Sequence, residues 1–126
     1  MSDPSRRYTA DEATALLPEL TVALARMRAA RQVVLAGAER IRAGAPFDGA
    51  GGPPAEYWQA MATLRHEVEA FAERGILLRD AGSGLLDFPA WIDGQDAYLC
   101  WVVGEERVGH WHRTQAGFSG RQPLEG

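Results

Sequence analysis

The residues best suited to chemistry lie in the C-terminal half of the chain. His110-Trp111-His112 places two imidazoles two positions apart. On a β-strand such residues share a face, roughly 6–7 Å apart along the backbone. That spacing lets both rings reach one metal ion. Zinc or iron would then draw one or two further ligands from His, Cys, Asp or Glu side chains. Cys100, Asp87 and Glu105 supply those types nearby. The pair has a plainer reading as well, two histidines half-buried among tryptophans and bonded to backbone groups. Cys100 reads either as a nucleophile activated by His110 or His112, or as a small buried hydrophobe. Arg121 could clamp a small anion through its planar fork, with Trp111 and Glu105 beside it. His66 sits in a charged run with Arg65, Glu67 and Glu69 and reads as part of a solvated helix face.

Whether these groups meet depends on two hairpins. Asp93-Gly94 favours a two-residue type I′ turn. It would pair Ile92 with Gln95, Ala90 with Ala97, Phe88 with Leu99 and Leu86 with Trp101. Those pairs make one apolar face, assigned to packing on the helices. The other face carries Asp87, Trp91, Tyr98 and Cys100, with Asp87 directly across from Cys100. The turn at 104–107 then places the histidines. If Val103 opposes Val108, the histidines join Leu99 and Trp101 on the apolar face. A bulged turn at 104–106 shifts the register by one, setting Cys100 opposite His110 and Tyr98 opposite His112. Imidazoles buried on the apolar face would each need partners, so the bulged register is the expected one. The strands themselves are read over 85–92, 97–103 and 108–112, with a short one at 76–78. Pro89 marks the first of the three as irregular or as an edge.

Upstream the period is helical. Thr9-Ala10-Asp11-Glu12 reads as a capping box, with a helix from about Ala10. Pro18 predicts a kink or restart near Leu17. Leu20, Leu24, Met27, Arg31, Val34, Ala38 and Ile41 form a coiled-coil-like stripe running to about Arg42. Tyr57, Met61, Leu64, Val68 and Phe71 repeat the stepping in a second helix that ends near Arg74, with Gly75 as a left-handed cap. The breaker-rich segment 44–54 between them predicts a flexible loop. Matching stripes predict an antiparallel helical hairpin. They are also wide enough to pair with a second copy as a four-helix homodimer. Residues 1–8 read as a frayed polar lead-in and 113–126 as an irregular tail.

The fold class is therefore α+β: an antiparallel helical hairpin, its first helix kinked, packed on a small antiparallel β-meander. With 126 residues, the chain reads as a single domain over 1–126, with the hairpin at 9–75, the sheet at 76–112 and the tail beyond. The net charge of −4 and the lack of a basic face argue against nucleic acid and against an anionic membrane surface. No run approaches the roughly 20 apolar residues of a membrane span. Cys100 is the only cysteine, which suits a reducing compartment, and the first residues lack a signal-peptide core. These features read as cytoplasmic.

The segments TADEATALLPEL (9–20), GLLDFP (84–89), YLCW (98–101), Gly104-Glu105, Trp111-His112 and GFSGRQP (117–123) resemble the bacterial domain-of-unknown-function family 2203. The resemblance covers most of the chain. It implies that Asp87, Phe88, Pro89, Cys100, Trp101, Gly104, Glu105, Trp111, His112, Gly117, Phe118, Gly120, Arg121 and Pro123 belong to one unit, with His110 less closely part of it. It implies no particular activity. The expected function is a binding domain whose sheet holds a metal ion, zinc or iron, or a small anionic ligand. The metal ligands would be His112, His110, Cys100 and Asp87; Arg121, Trp111 and Glu105 would contact a cofactor or ligand. The rivals are a protein-interaction module acting through the hairpin and an enzyme using Cys100 with His112.

Overall fold

A computed structural model describes residues 6–44 and 52–124. Two helices, α1 (Ala10–Arg42) and α2 (Ala55–Glu73), precede five strands: β1 (Leu77–Asp80), β2 (Leu85–Ile92), β3 (Gln95–Val102), β4 (His110–Arg113) and β5 (Gln122–Pro123). The strands form one antiparallel meander in sequence order, and the helices pack on one face of it as a hairpin. Among the described residues no helix is long and apolar enough to cross a membrane. The loop expected at 44–54 falls mostly on residues 45–51, outside the described ones.

The capping box at the start of α1 is present. Glu12 donates its backbone N–H to Thr9 Oγ1 at 3.1 Å, and Thr9 donates its own to Glu12 Oε1 at 2.8 Å. The helix then runs 33 residues through Pro18 without the expected restart. Proline deletes one ladder bond, to the carbonyl of Thr14. Leu17 and Leu20 on either side are buried in the core, so packing outweighs that single loss. Thr14 Oγ1 also accepts from the backbone of Val108 at 3.1 Å, which ties this turn to the β3–β4 connection.

The predicted stripe of α1 holds through Leu20, Leu24 and Met27 and then slides off. Arg31, Ala38 and Ile41 are exposed, while Ala30 and Gly37 turn inward. A straight helix drifts about 20° per heptad against a seven-residue repeat, so a stripe drawn at that period leaves the true face after a few turns. The same drift exposes Met61 and Val68 on α2, where Ala60 and Glu67 are buried instead, while Phe71 of the predicted stripe is buried as expected. Glu67 is thus not part of a solvated face. It accepts from Arg26 Nε at 3.0 Å across the hairpin. Gly75 has the expected positive φ, 70°.

The Asp93-Gly94 turn has φ of 53° and 75°, the type I′ signature, and every predicted β2–β3 pair is present. In β3–β4, Cys100 pairs with His110 and Tyr98 with His112, the shifted register. The connection that produces it spans residues 103–109 and is longer than a bulged tight turn. Its closure uses Glu105, whose Oε1 accepts from Val102 N at 2.9 Å and whose carbonyl accepts from Trp101 Nε1 at 3.0 Å.

The described residues toward each end, Tyr8 and 118–123, are more ordered than their composition suggested. Tyr8 is buried: its N–H donates to Pro89 O at 2.8 Å and its hydroxyl to Arg74 O at 2.6 Å. Pro89 therefore directs its backbone away from β3, where its missing N–H costs the ladder nothing. The segment expected as an irregular tail supplies a 3-10 turn, Phe118–Gly120, and strand β5, which pairs with β4.

Gly84 offers a test of the packing. Its φ is +75°, and an added Cβ would overlap the Val103 side chain, with Leu24 just behind. Gly94 has the same φ with open space around it. Gly84→Ala should cost about 2–5 kcal/mol, left-handed strain plus overpacking, and lower the melting temperature by roughly 8–20 °C. Gly94→Ala should show only the strain, about 1–2 kcal/mol. Equal losses in thermal melting would contradict this packing.

Candidate metal centre

Alternation along the strands sends Leu86, Phe88, Leu99 and Trp101 to the helices and Asp87, Cys100 and His112 to the opposite face. Asp87 lies across from Cys100, and His112 is one strand further on, diagonal to it. The three can each offer a ligand atom within 4.8 Å of the others. Although they face away from the helices, they are only 2%, 1% and 3% exposed. The cover comes from the chain after β4. Thr114, Gln115, Ala116, Gly117 and Phe118 fold back over them and, with Arg79 and Leu85, line a cleft of about 400 Å³ onto which the cluster opens.

The hydrogen bonds of His112 constrain its chemistry. Nδ1 lies 2.8 Å from the carbonyl of Arg113. A carbonyl only accepts, so Nδ1 carries the hydrogen. Nε2 then faces both oxygens of Asp87 at 3.1 Å. Two arrangements satisfy that contact. Either a proton lies between the ring nitrogen and the carboxyl group, or the Nε2 lone pair and the carboxylate both bind a metal cation. Asp87 Oδ2 also accepts from Arg79 Nε at 2.9 Å. The hydrogen bond to Asp87 raises the ionisation of Arg79 above its usual value.

Burial, and next the charge of Asp87, push the Cys100 thiol up to about 12. At neutral pH it is a thiol, which argues against the Cys–His enzyme reading. A coordinated metal would reverse this by deprotonating the sulfur. In the metal-free protein, thiol reagents at pH 8 should label Cys100 about 1000-fold more slowly than in denaturant, following the loss of thiolate. Because the folded value lies above the unfolded one of about 8.5, the stabilisation is complete below pH 8.5 and is lost as pH rises toward 12. Rapid native labelling at pH 8 would refute the buried thiol.

The remaining expected site residues are placed differently. His110 shares the face but is half-exposed, its Nδ1 3.7 Å from Glu105 Oε2, and it stands outside the close trio. Trp111 points to the opposite side, against the core, with the Arg113 guanidinium 4.7 Å from its ring centre. The residue between two same-face histidines must face the other way, so Trp111 cannot contact a ligand held by them. Arg121 is not an open anion clamp. Its Nη2 donates to both carboxylate oxygens of Glu105, at 3.0 and 2.9 Å, and its guanidinium covers Phe118. This pair fastens the C-terminal cover to the β3–β4 connection.

Arg79 escaped the sequence reading, which ended the first strand at 78. The signal was present in the alternation. Leu77 pairs with Asp87, and Arg79 lies two residues on, on the same side of β1.

Fold and cluster together define an α+β domain in which a helical hairpin covers one face of a five-stranded meander and the other face bears a buried Asp–Cys–His group. Residues 6–124 match the family described as uncharacterized conserved protein DUF2203, and the chain belongs to that family. No curated protein and no solved structure matches it.

Proposed function

We propose that this chain is a metal-binding domain in which Asp87, Cys100 and His112 hold one divalent ion, zinc or iron. The observation that supports this best is His112: its Nδ1–H is held by the Arg113 carbonyl while Nε2 faces Asp87 beside Cys100. A ligating histidine normally donates its second ring N–H in this way, and ligating carboxylates are themselves hydrogen-bonded, as Asp87 is by Arg79. Mixed imidazole, thiolate and carboxylate donors suit zinc or iron. Binding would release the Cys100 proton.

The test is thermal melting of the metal-free chain with and without added zinc or iron(II). At about 100 times the dissociation constant, ligation should add about 2.7 kcal/mol, roughly 10 °C here. Chelator should reverse the gain, and Cys100→Ala and His112→Ala should each abolish it. No stabilisation by either metal would leave the trio as a buried ion pair with a thiol and overturn the proposal.

A second reading, an interaction surface on the hairpin, is favoured by Val22, Leu35, Ile41, Trp58 and Val68, which are all at least half exposed. A second copy of the chain is the partner this reading names. Sedimentation should then show a dimer that Trp58→Glu dissociates, and a monomer at all concentrations would remove it. The acidic balance and lone buried thiol support a cytoplasmic setting without nucleic acid as partner.

A further inference from the structure

We propose that the cleft beside the metal centre receives a small organic oxyanion, a carboxylate or a phosphate group, shared between the bound ion and Arg79. The inference rests on the metal reading and deepens it by naming a ligand class.

Three protein donors do not complete the shell of zinc or iron, so a position remains for a ligand from outside. That ligand must come through the cleft, because the strands and the helix-packed core close the other sides. The cleft has a definite charge pattern. Among the described residues lining it, Asp87 is the one carboxylate and Arg79 the one arginine. With Asp87 and the Cys100 thiolate neutralising a divalent ion, the guanidinium leaves the lining net positive. Arg79 is well placed for a second task. Its Nε is taken by Asp87 Oδ2, yet its side chain is 44% exposed and borders the cleft. A guanidinium presents several donors in one plane, so it can orient a metal-bound carboxylate and still hold an incoming oxyanion. The Tyr98 ring lies 5.1 Å from the guanidinium carbon and supports it from one side.

The remaining lining describes the rest of the ligand. Thr114 and Gln115 offer neutral hydrogen-bonding groups, while Leu85, Ala116 and Phe118 provide a short apolar wall. A volume of about 400 Å³ fits a small molecule and is too small for a folded partner. An anionic head with a small organic body matches both halves of this surface.

The experiment uses the full chain loaded with cobalt(II), whose visible spectrum reports its ligands. Acetate and inorganic phosphate are titrated in, with acetamide as the neutral match for acetate. The proposal expects a saturable spectral change with acetate, phosphate or both, and none with acetamide. The anion that acts at lower concentration identifies the head group. Arg79→Met should raise the midpoint at least 10-fold while one cobalt and the thiolate-to-cobalt absorption band are kept. Arg79→Lys, which retains the charge, should lie between. If cobalt binds with that band but no anion alters the spectrum, or Arg79→Met and Arg79→Lys both respond like the native chain, the ligand inference is overturned and the metal site stands. If no cobalt binds at all, both fail.

Discussion

Replacing Leu24 with aspartate should abolish cooperative folding under conditions where the native chain is stable. Leu24 is 1% exposed and packs between the helix hairpin and the sheet, within reach of Gly84 at the mouth of β2. Its neighbours in the core cluster are apolar or aromatic. A carboxylate there would lose its water without gaining a partner. Breaking a core in this way costs about 4 kcal/mol or more, against a total stability of about 5–15 kcal/mol for a domain. The control is on the same helix. Leu35 is 50% exposed, so Leu35→Asp should move stability by no more than about 0.5 kcal/mol. Denaturant melts of the two variants check the assignment. An unchanged midpoint for Leu24→Asp would mean that α1 does not pack on the sheet as described.

Asp87→Ala should be the most damaging single change on the opposite face. Asp87 is contacted by Arg79 at 2.9 Å and by His112 at 3.1 Å, inside a group that is almost fully buried. Removing it costs about 3 kcal/mol, because the buried His112 is left desolvated and unmatched, while the partly exposed Arg79 can turn to water. Asp87→Asn keeps the shape and should fold better. It should nonetheless lose at least about 10-fold in zinc affinity, because a neutral amide is a poorer ligand than a carboxylate. The two variants thus separate structure from ligation. If Asp87→Asn binds zinc as well as the native chain does, Asp87 is not a ligand.

Much of this site was legible because one turn dictated it. Asp93-Gly94 allows few loop geometries, and strand pairing propagates that choice six residues to the Asp87–Cys100 pair. Placing His112 was harder, since it needed the register of a connection held closed by Glu105 side-chain and backbone bonds that no local pattern announces. Trp111 was misassigned for a different reason. It was grouped with Arg121 and Glu105 as a ligand contact, although alternation alone puts Trp111 opposite its two histidine neighbours. The drift of the α1 stripe was predictable from helix geometry, whereas the tolerance of Pro18 depends on tertiary packing at Leu17 and Leu20. Long-range partners were the least legible. Tyr8 with Pro89 and Arg74, and Arg121 with Glu105, are joined by chain reversals whose geometry is set only once the sheet exists.

The central claim is that Asp87, Cys100 and His112 bind one metal ion, and a calorimetric titration of zinc into the metal-free, untagged chain tests it most directly. The account predicts a single saturable site at one zinc per chain, with proton release from Cys100, that disappears in both His112→Ala and Cys100→Ala. Zinc binding with no defined stoichiometry, or equal binding by the native chain and both variants, would contradict it.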